Sequence, residues 1–172
     1  MLLAILFVFN IVVLVGIDQA IKIWAVANLA PVGSMPFIPN LVELRFVLNT
    51  GMAFSMLSGK QGLLILFTGV MMVGVAYLLF FKSKGKTLQQ VAFVLILAGG
   101  IGNLIDRATT GEVVDYINLL FMDFAIFNFA DICVCVGAGL FILHVLLEGE
   151  EEPQKSEETL QKSQQIEEAG EA

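Results

Sequence analysis

The sequence predicts an all-α membrane protein with four transmembrane helices and a small outer-face β cradle between helices 1 and 2. Hydrophobic residues make up 58% of the 172-residue chain and charged residues 15%. Soluble domains hold about 45–50% apolar and about 25% charged residues, so these fractions exclude an ordinary soluble protein. At this length the chain has room for one membrane domain without a second soluble domain of usual size.

Four apolar runs are the predicted membrane spans. Residues 62–81 carry no charged side chain, and a helix of about 20 residues covers the roughly 30 Å of the hydrocarbon core. The other runs lie at about 1–24, 88–105 and 127–147. Small residues in the third run would let a neighbouring helix approach closely. They are Ala98, Gly99, Gly100 and Gly102.

The first run has an alternative interpretation as a cleaved signal peptide, because residues 25–27 read Ala-Val-Ala. No basic segment opens the run, and Asp18 and Lys22 precede the supposed cleavage site. Both observations favour a retained span.

Orientation follows from the short loop at residues 82–86, which carries three lysines. The positive-inside rule places this loop, and with it both termini, in the cytoplasm. The connections at about 25–61 and 106–130 then face outward. Proline and glycine, followed by β-branched and aromatic residues at 41–49, predict short strands in the first connection. Since strand edges cannot lie in lipid, we expect a small sheet at the outer interface.

Residues 148–172 differ in composition from the membrane domain at 1–147. They hold nine Glu and two Lys, a net charge of -7 that equals the formal charge of the whole chain. Too few apolar residues are present to form a core, so the sequence predicts an acidic, disordered cytoplasmic tail. A solvated terminus and a segment that docks a partner are both open interpretations.

Amide and charged side chains near the bilayer collect at the predicted outer ends of the spans. Charged groups in or beside hydrocarbon are costly, usually face a bundle interior or a wet cavity, and mark candidate functional sites. Interfacial anchoring is the alternative explanation. The residues are Asp18, Lys22, Asn49, Asn103, Asp106, Arg107, Asp115, Asn128 and Asp131.

Several of these residues also have local structural explanations. Asp18 and Lys22 are spaced i, i+4, as in a helix-surface ion pair. Arg107 would reach across to a carboxylate or a carbonyl. Asp131 lies where an N-cap or first-turn acid stabilises a helix. Asp115, expected in a loop, has no local partner, so convergence with Asp131 would create a carboxylate dyad.

A carboxylate dyad has a specific chemistry. Two carboxylates held close together cannot both ionise easily, so one keeps its proton near neutral pH while the other acts as a base. The ionised member can draw a proton from an attacking water, and the protonated member can donate to the developing oxyanion and then to the leaving amine. Such a pair can hydrolyse an amide bond.

Five separated motifs carry a family resemblance: DQAIK at 18–22, NTGMAFS at 49–55, GNLIDR at 102–107, GEVVDYI at 111–117 and FNFAD at 127–131. In these motifs and their order the chain resembles the lipoprotein signal peptidases, also called signal peptidase II. The resemblance covers about residues 15–140. It departs at Tyr116, where phenylalanine is common, in an N-terminus without the usual basic residues, and in a longer acidic tail.

The resemblance implies a membrane aspartyl endopeptidase of the bacterial cytoplasmic (inner) membrane, with its active site at the outer face. Members of this family remove the signal peptide from diacylglyceryl-modified prolipoproteins, cutting just before the lipidated cysteine. By resemblance, Asp115 and Asp131 are the catalytic pair. The motif positions that would bind substrate or support the pair are Asp18, Lys22, Asn49, Gly51, Asn103, Arg107, Asn128 and Ala130.

The resemblance also implies the partners. We expect prolipoprotein substrates, membrane lipid and globomycin-type inhibitors as partners, with no metal, no other cofactor and no nucleic acid, and we expect a monomer. Two other function classes compete. A channel or transporter would need polar residues through the depth of the bilayer, and the second span has almost none between Phe67 and Phe81. A non-catalytic membrane scaffold would need neither aspartate.

Overall fold

The computed structural model describes residues 2–51, 60–83 and 85–148. Four of its helices are long and apolar enough to cross a membrane, which confirms the predicted number of spans. These are α1 (Leu2–Trp24, continued by a π-helical turn Ala25–Leu29), α2 (Gln61–Tyr77, continued by Leu78–Lys82), α3 (Thr87–Thr109) and α4 (Phe129–Glu148). The predicted acidic tail beyond Glu148 and residues 52–55 of the NTGMAFS motif lie outside the described residues.

Two helices run further than predicted at the same end of the bundle. α1 continues to Leu29 and is followed by Pro31, which cannot extend a helix. α3 continues to Thr109 and stops before Gly111, whose φ of +80° suits glycine and few other residues. The extension of α3 places Asp106 and Arg107, which were expected in the connection that begins at about residue 106, on the helix that also carries Asn103.

A three-stranded antiparallel sheet covers this end of the bundle, which we call the sheet end. β1 (Ser34–Ile38) and β2 (Val42–Asn49) form a hairpin between α1 and α2, which confirms the predicted β cradle. The third strand, β3 (Val113–Leu119), comes from the connection between α3 and α4 and pairs with β2. The expectation that Asp115 lies in a loop is therefore wrong, because it pairs with Val47 inside the sheet.

The opposite end of the bundle, which we call the loop end, carries the short α2–α3 connection. α3 is the central helix, and more than half of its apolar window is buried. Near the loop end, Leu79 of the α2 extension packs on Phe93 and Leu97 of α3. Near the sheet end, a second cluster joins Leu29 of α1 to Tyr116 of β3, so the sheet rests on the end of α1.

Glycines allow α3 to pack closely against its neighbours, as the sequence predicts. A side chain at Gly99 would overlap the carbonyl oxygen of Ala130 in α4. A side chain at Gly102 would overlap the carboxylate of Asp18 in α1. On the facing helix, Gly137 lies against the backbone of α3 in the same way. These close approaches bring the polar residues of α1, α3 and α4 within hydrogen-bonding distance of each other.

We predict that Gly99→Ala destabilises the fold by about 1–3 kcal/mol, because the added methyl group meets a backbone oxygen that cannot rotate away. Gly74→Ala in α2 is the matched control, since no described atom beyond the adjacent backbone of α2 lies within 4 Å of its added methyl group. The control should be up to about 1 kcal/mol more stable than the wild type, because alanine has a higher helix propensity than glycine. Unfolding in detergent followed by circular dichroism measures both changes, and equal stabilities would contradict the close packing.

Candidate active site

The segment before α4 brings two aspartates together at the sheet end. Phe127 forms an isolated β-bridge with Ile117, and the two residues exchange backbone hydrogen bonds of 2.8 and 3.1 Å. This pairing lays the start of α4 beside β3. Asp115 on β3 and Asp131 in the first turn of α4 therefore lie on either side of Asn128.

Asn128 contacts both carboxylates and is fully buried. Its side-chain Nδ2 donates to Asp115 Oδ1 at 2.7 Å, and its backbone N–H donates to Asp131 Oδ2 at 3.1 Å. The Asp131 N–H donates in return to Asn128 Oδ1 at 3.0 Å. This reciprocal pair forms a capping box at the start of α4. Asp131 is thus both a first-turn acid and a member of a converging pair.

Asp115 is held by amide groups on both of its oxygens. Besides the bond from Asn128, Asn49 Nδ2 at the end of β2 donates to Asp115 Oδ2 at 2.9 Å. Burial raises the pKa of Asp115 to about 6, the two amide hydrogen bonds oppose the rise, and the negative charge of Asp131 adds to it. The side chain is 3% exposed, so water gives its charge little stabilisation.

Asp131 is held by an amide whose orientation is fixed. Asn103 Nδ2 donates to Asp131 Oδ1 at 2.8 Å. The other end of the same amide, Oδ1, accepts hydrogen bonds from Lys22 Nζ at 2.8 Å and from Asn128 Nδ2 at 3.2 Å. Two donors on its oxygen leave the Asn103 nitrogen to face the carboxylate.

Lys22 lies in a buried charge cluster. Its Nζ is 2.9 Å from Asp18 Oδ2 and 2.8 Å from Asp106 Oδ2, and Lys22 is 3% exposed. Gln19 Nε2 donates to Asp106 Oδ1 at 2.9 Å. The i, i+4 pair is confirmed, but its expected position on the helix surface is wrong, because Gly102 lets α3 approach α1 and cover it.

Arg107 fixes the end of β2. Its Nη2 donates to the Gly51 carbonyl at 2.9 Å, which is one of the two expected kinds of acceptor. The Gly51 N–H donates to Asn49 Oδ1 at 2.9 Å. Because Asn49 uses its oxygen for Gly51, its nitrogen is oriented toward Asp115.

All ten predicted site residues belong to one connected network. Ala130 completes it, since its backbone N–H donates to Asp18 Oδ1 at 3.1 Å and the residue is fully buried. The network links α1 to the start of α4 and, through Asn103 and Asn128, to the two carboxylates. The individual roles of these residues stay predictions.

Three further residues take part that the predicted site did not include. Gln19 and Asp106 complete the cluster around Lys22. Asp106 lies three residues after Asn103, a spacing that puts both on one helix face and could have revealed it. Tyr116 is buried and accepts a hydrogen bond from the Phe129 N–H at 3.1 Å, and burial raises the pKa of its hydroxyl above its usual value.

A cavity of about 400 Å³ opens beside the two carboxylates. Its polar residues are grouped near the sheet, while its other walls are apolar and come from the segment before α4 and from α4 itself. The apolar residues include Phe124, Ile126, Phe127, Ile132, Val134 and Val136. Such a cavity, apolar with a few converging polar groups, suits a ligand with a long apolar part and one reactive polar group. Within the described residues, no three His, Cys, Asp or Glu side chains form a group that could hold a metal ion.

The chain is similar to known proteins over most of its length. A family model described as signal peptidase (SPase) II matches residues 10–147. A lipoprotein signal peptidase of Streptococcus pyogenes serotype M2 is 42% identical over 139 residues, which cover 80% of this chain and 91% of that protein. The corresponding protein of serotype M5 matches with the same identity and coverage.

Two solved structures share the fold. A bacterial membrane enzyme determined by the in meso method at 2.3 Å superposes with a TM-score of 0.79 and 33% identity, covering 85% of this chain and 90% of that one. A second bacterial membrane enzyme, determined by the same method at 1.9 Å, gives a TM-score of 0.73 and 34% identity, covering 81% and 92%.

We predict that the stability of Asp115→Asn, relative to wild type, increases with pH. Folding raises the pKa of Asp115 from 3.8 to about 6. The protonated side chain therefore contributes its full stabilisation below pH 3.8, and this contribution is lost as the pH rises through about 6. The loss amounts to about 3 kcal/mol at alkaline pH. Asparagine cannot ionise, so the variant does not lose this stability as the pH rises.

Melting temperatures of wild type and variant at about pH 5 and about pH 7 measure this effect. Asparagine also removes one acceptor at every pH, so the informative quantity is the change with pH and not the sign of the difference. Asp123→Asn, at an exposed position in the connection between β3 and α4, is the matched control. A difference between wild type and Asp115→Asn that does not vary with pH would contradict the prediction.

Proposed function

This chain belongs to the signal peptidase II family, and from that premise we propose that it is an aspartyl endopeptidase with Asp115 and Asp131 as its catalytic pair. The family membership identifies a multi-pass bacterial membrane protein that cleaves lipoprotein signal peptides. The proposed reaction is hydrolysis of the bond just before the lipidated cysteine of diacylglyceryl-modified prolipoproteins. The observation that carries the proposal is the contact of one buried residue, Asn128, with both carboxylates.

The surroundings of the two carboxylates support different roles for them. Asp131 accepts hydrogen bonds from the Asn103 amide and from a backbone N–H at the N-terminus of α4, where the helix dipole favours a negative charge. Asp115 lies on a strand and is buried, and its pKa is raised to about 6. We therefore assign the ionised form to Asp131 and the shared proton to Asp115. The proton belongs to the pair, so the assignment describes its preferred position.

Hydrolysis then follows in two steps. Asp131 takes a proton from a water molecule as the water oxygen attacks the scissile carbonyl carbon, while the proton on Asp115 forms a hydrogen bond with the developing oxyanion. The tetrahedral intermediate collapses when the C–N bond breaks and the leaving nitrogen takes a proton from the pair. The new carboxyl group and the free amine leave, and the pair again shares one proton.

The apolar cavity supports a substrate that stays partly in lipid. Each CH₂ of an acyl chain that remains in bilayer or groove contributes about 0.8 kcal/mol, so two chains can hold the adjacent peptide bond beside the aspartates. A globomycin-type inhibitor would occupy the same cavity and exclude the substrate.

The position of the site in the bundle supports its orientation in the membrane. Asp115 and Asp131 lie at the sheet end, whereas Lys82 and Lys86 lie at the loop end. By the positive-inside rule the loop end faces the cytoplasm. The active site then faces outward from the bacterial cytoplasmic membrane, and both termini are cytoplasmic.

We predict that Asp115→Asn and Asp131→Asn each lower the turnover of a purified diacylglyceryl prolipoprotein to background, because asparagine keeps the shape but can neither accept nor release the proton. The assay follows release of the signal peptide by mass spectrometry. Circular dichroism establishes that each variant is folded, and wild-type turnover should stop when globomycin is added.

Asp123→Asn is the control for this pair, because it makes the same chemical change in the connection next to the cavity. It should retain wild-type turnover. Retained activity in either catalytic variant would refute the aspartyl mechanism and would favour a scaffold role for these residues.

We predict that Asn49→Ala moves the high-pH limb of kcat/KM to higher pH. Asp115 must keep its proton, so activity falls as the pH rises through its pKa, about 6 in the wild type. The Asn49 amide stabilises the ionised form, and its removal lets Asp115 hold the proton to higher pH. Asn118→Ala is the control, because it removes a similar amide donor to a carboxylate, Glu43, elsewhere in the sheet. A limb that moves to lower pH would contradict the proton assignment.

A further inference from the structure

An exposed amide lies within the first membrane span. Asn10 is the ninth residue of α1, about 12 Å along the helix from Leu2. It is exposed on a helix whose apolar window is only 6% buried, against 56% for α3. Asn10 lies in the half of α1 nearer the loop end of the bundle, away from the polar network at the sheet end.

The Asn10 side chain is only partly satisfied. Its Nδ2 donates to the Leu6 carbonyl of its own helix at 2.7 Å. Among residues 2–51, 60–83 and 85–148, no donor reaches its Oδ1. An amide oxygen without a donor in hydrocarbon costs free energy, so polar residues in spans are usually found where another helix covers them.

The face around Asn10 has the spacing of a coiled-coil seam. Seven residues follow each other at alternating intervals of three and four, which is the a/d pattern of a heptad, and Asn10 occupies an a position. All seven are exposed. They are Leu3, Leu6, Asn10, Val13, Ile17, Ala20 and Trp24, which we call the α1 stripe.

A groove runs beside the α1 stripe. A cavity of about 410 Å³ lies between α1 and the first half of α3. One wall carries Leu3, Leu6, Asn10 and Val13 of the stripe, and the other carries residues of α3 that include Val91. The groove is apolar except at Asn10 and at its loop end, where α3 begins, so it can receive the side chains of a second apolar helix.

We propose that the α1 stripe is a docking surface for a second copy of this chain. Two copies inserted in the same orientation are related by an axis along the membrane normal, so their α1 helices pack in parallel and each Asn10 meets its counterpart. The amide is self-complementary, because each copy can supply the donor that the other copy's oxygen lacks. An asparagine at an a position is a known device for fixing the register of a parallel pair.

A second copy fits these observations better than a lipid does. An acyl chain would fill the groove but would leave the Asn10 oxygen without a donor. The cavity beside Asp115 and Asp131 is lined, within the described residues, by no residue of α1. A dimer through α1 therefore leaves that cavity open. This proposal replaces the expectation of a monomer and does not depend on the proposed function.

The test measures association of the full-length protein in lipid bilayers. Donor-labelled and acceptor-labelled copies are mixed, and energy transfer is followed as the protein is diluted with lipid. Asn10→Leu should weaken the dimer by about three- to tenfold, the range expected for one interhelical amide contact. Asn28→Leu is the matched control, because Asn28 is exposed and makes the same hydrogen bond to the carbonyl four residues earlier, Trp24. It lies in the π-helical turn Ala25–Leu29, beyond the end of both the stripe and the groove.

Cysteine cross-linking tests the orientation of the dimer. Leu6 and Val8 are 46% and 50% exposed but lie on opposite sides of α1, so Leu6→Cys should form a disulfide-linked dimer and Val8→Cys should not. The wild type, with its native Cys133 and Cys135, gives the background. A wild type that stays monomeric at high protein density, an Asn10→Leu variant that associates normally, or equal cross-linking at both positions would each overturn the proposal. Native mass spectrometry that finds only monomers with lipid attached would do the same.

Discussion

Two carboxylates, one buried and one half-buried, can lie in one site only when donors hold them there, and Asn128 supplies donors to both. Its side-chain amide contacts Asp115 and its backbone N–H contacts Asp131. Asn128 is itself held by the β-bridge between Phe127 and Ile117 and by the fixed amide of Asn103. Asn128 thus contacts the sheet, α3 and α4, and the relative position of the two proposed catalytic carboxylates depends on these contacts.

The cluster around Lys22 buries three charged side chains, which costs desolvation free energy. Lys22 is buried with the carboxylates of Asp18 and Asp106, and an apolar core of the same volume is often as stable as a buried ion pair, or more so. The cluster therefore needs a reason other than stability alone. Its contact with Asn103 gives one, since Lys22 fixes which end of that amide faces Asp131.

Composition and hydropathy predicted most of the fold, whereas the residues of the candidate site were predicted mainly from the resemblance of five motifs to a known family. The four spans follow from long apolar runs, and the hairpin follows from proline, glycine and β-branched residues. The sequence could not show that Asp115 lies on a strand, because its partner strand is more than 60 residues away and Asp115 interrupts an apolar run. Burial of the Asp18–Lys22 pair was also missed, since the same i, i+4 spacing occurs on exposed helices and only the packing at Gly102 distinguishes them.

The capping box at the start of α4 both begins the helix and positions a carboxylate of the proposed catalytic pair. Asp131 and Asn128 close the first turn of α4 with the same groups that orient the carboxylate. Fraying of this turn would therefore displace Asp131, the base in the proposed reaction, from its position beside Asp115. A ligand that weakened these two hydrogen bonds would disfavour the arrangement that the proposed chemistry needs, and one that strengthened them would favour it.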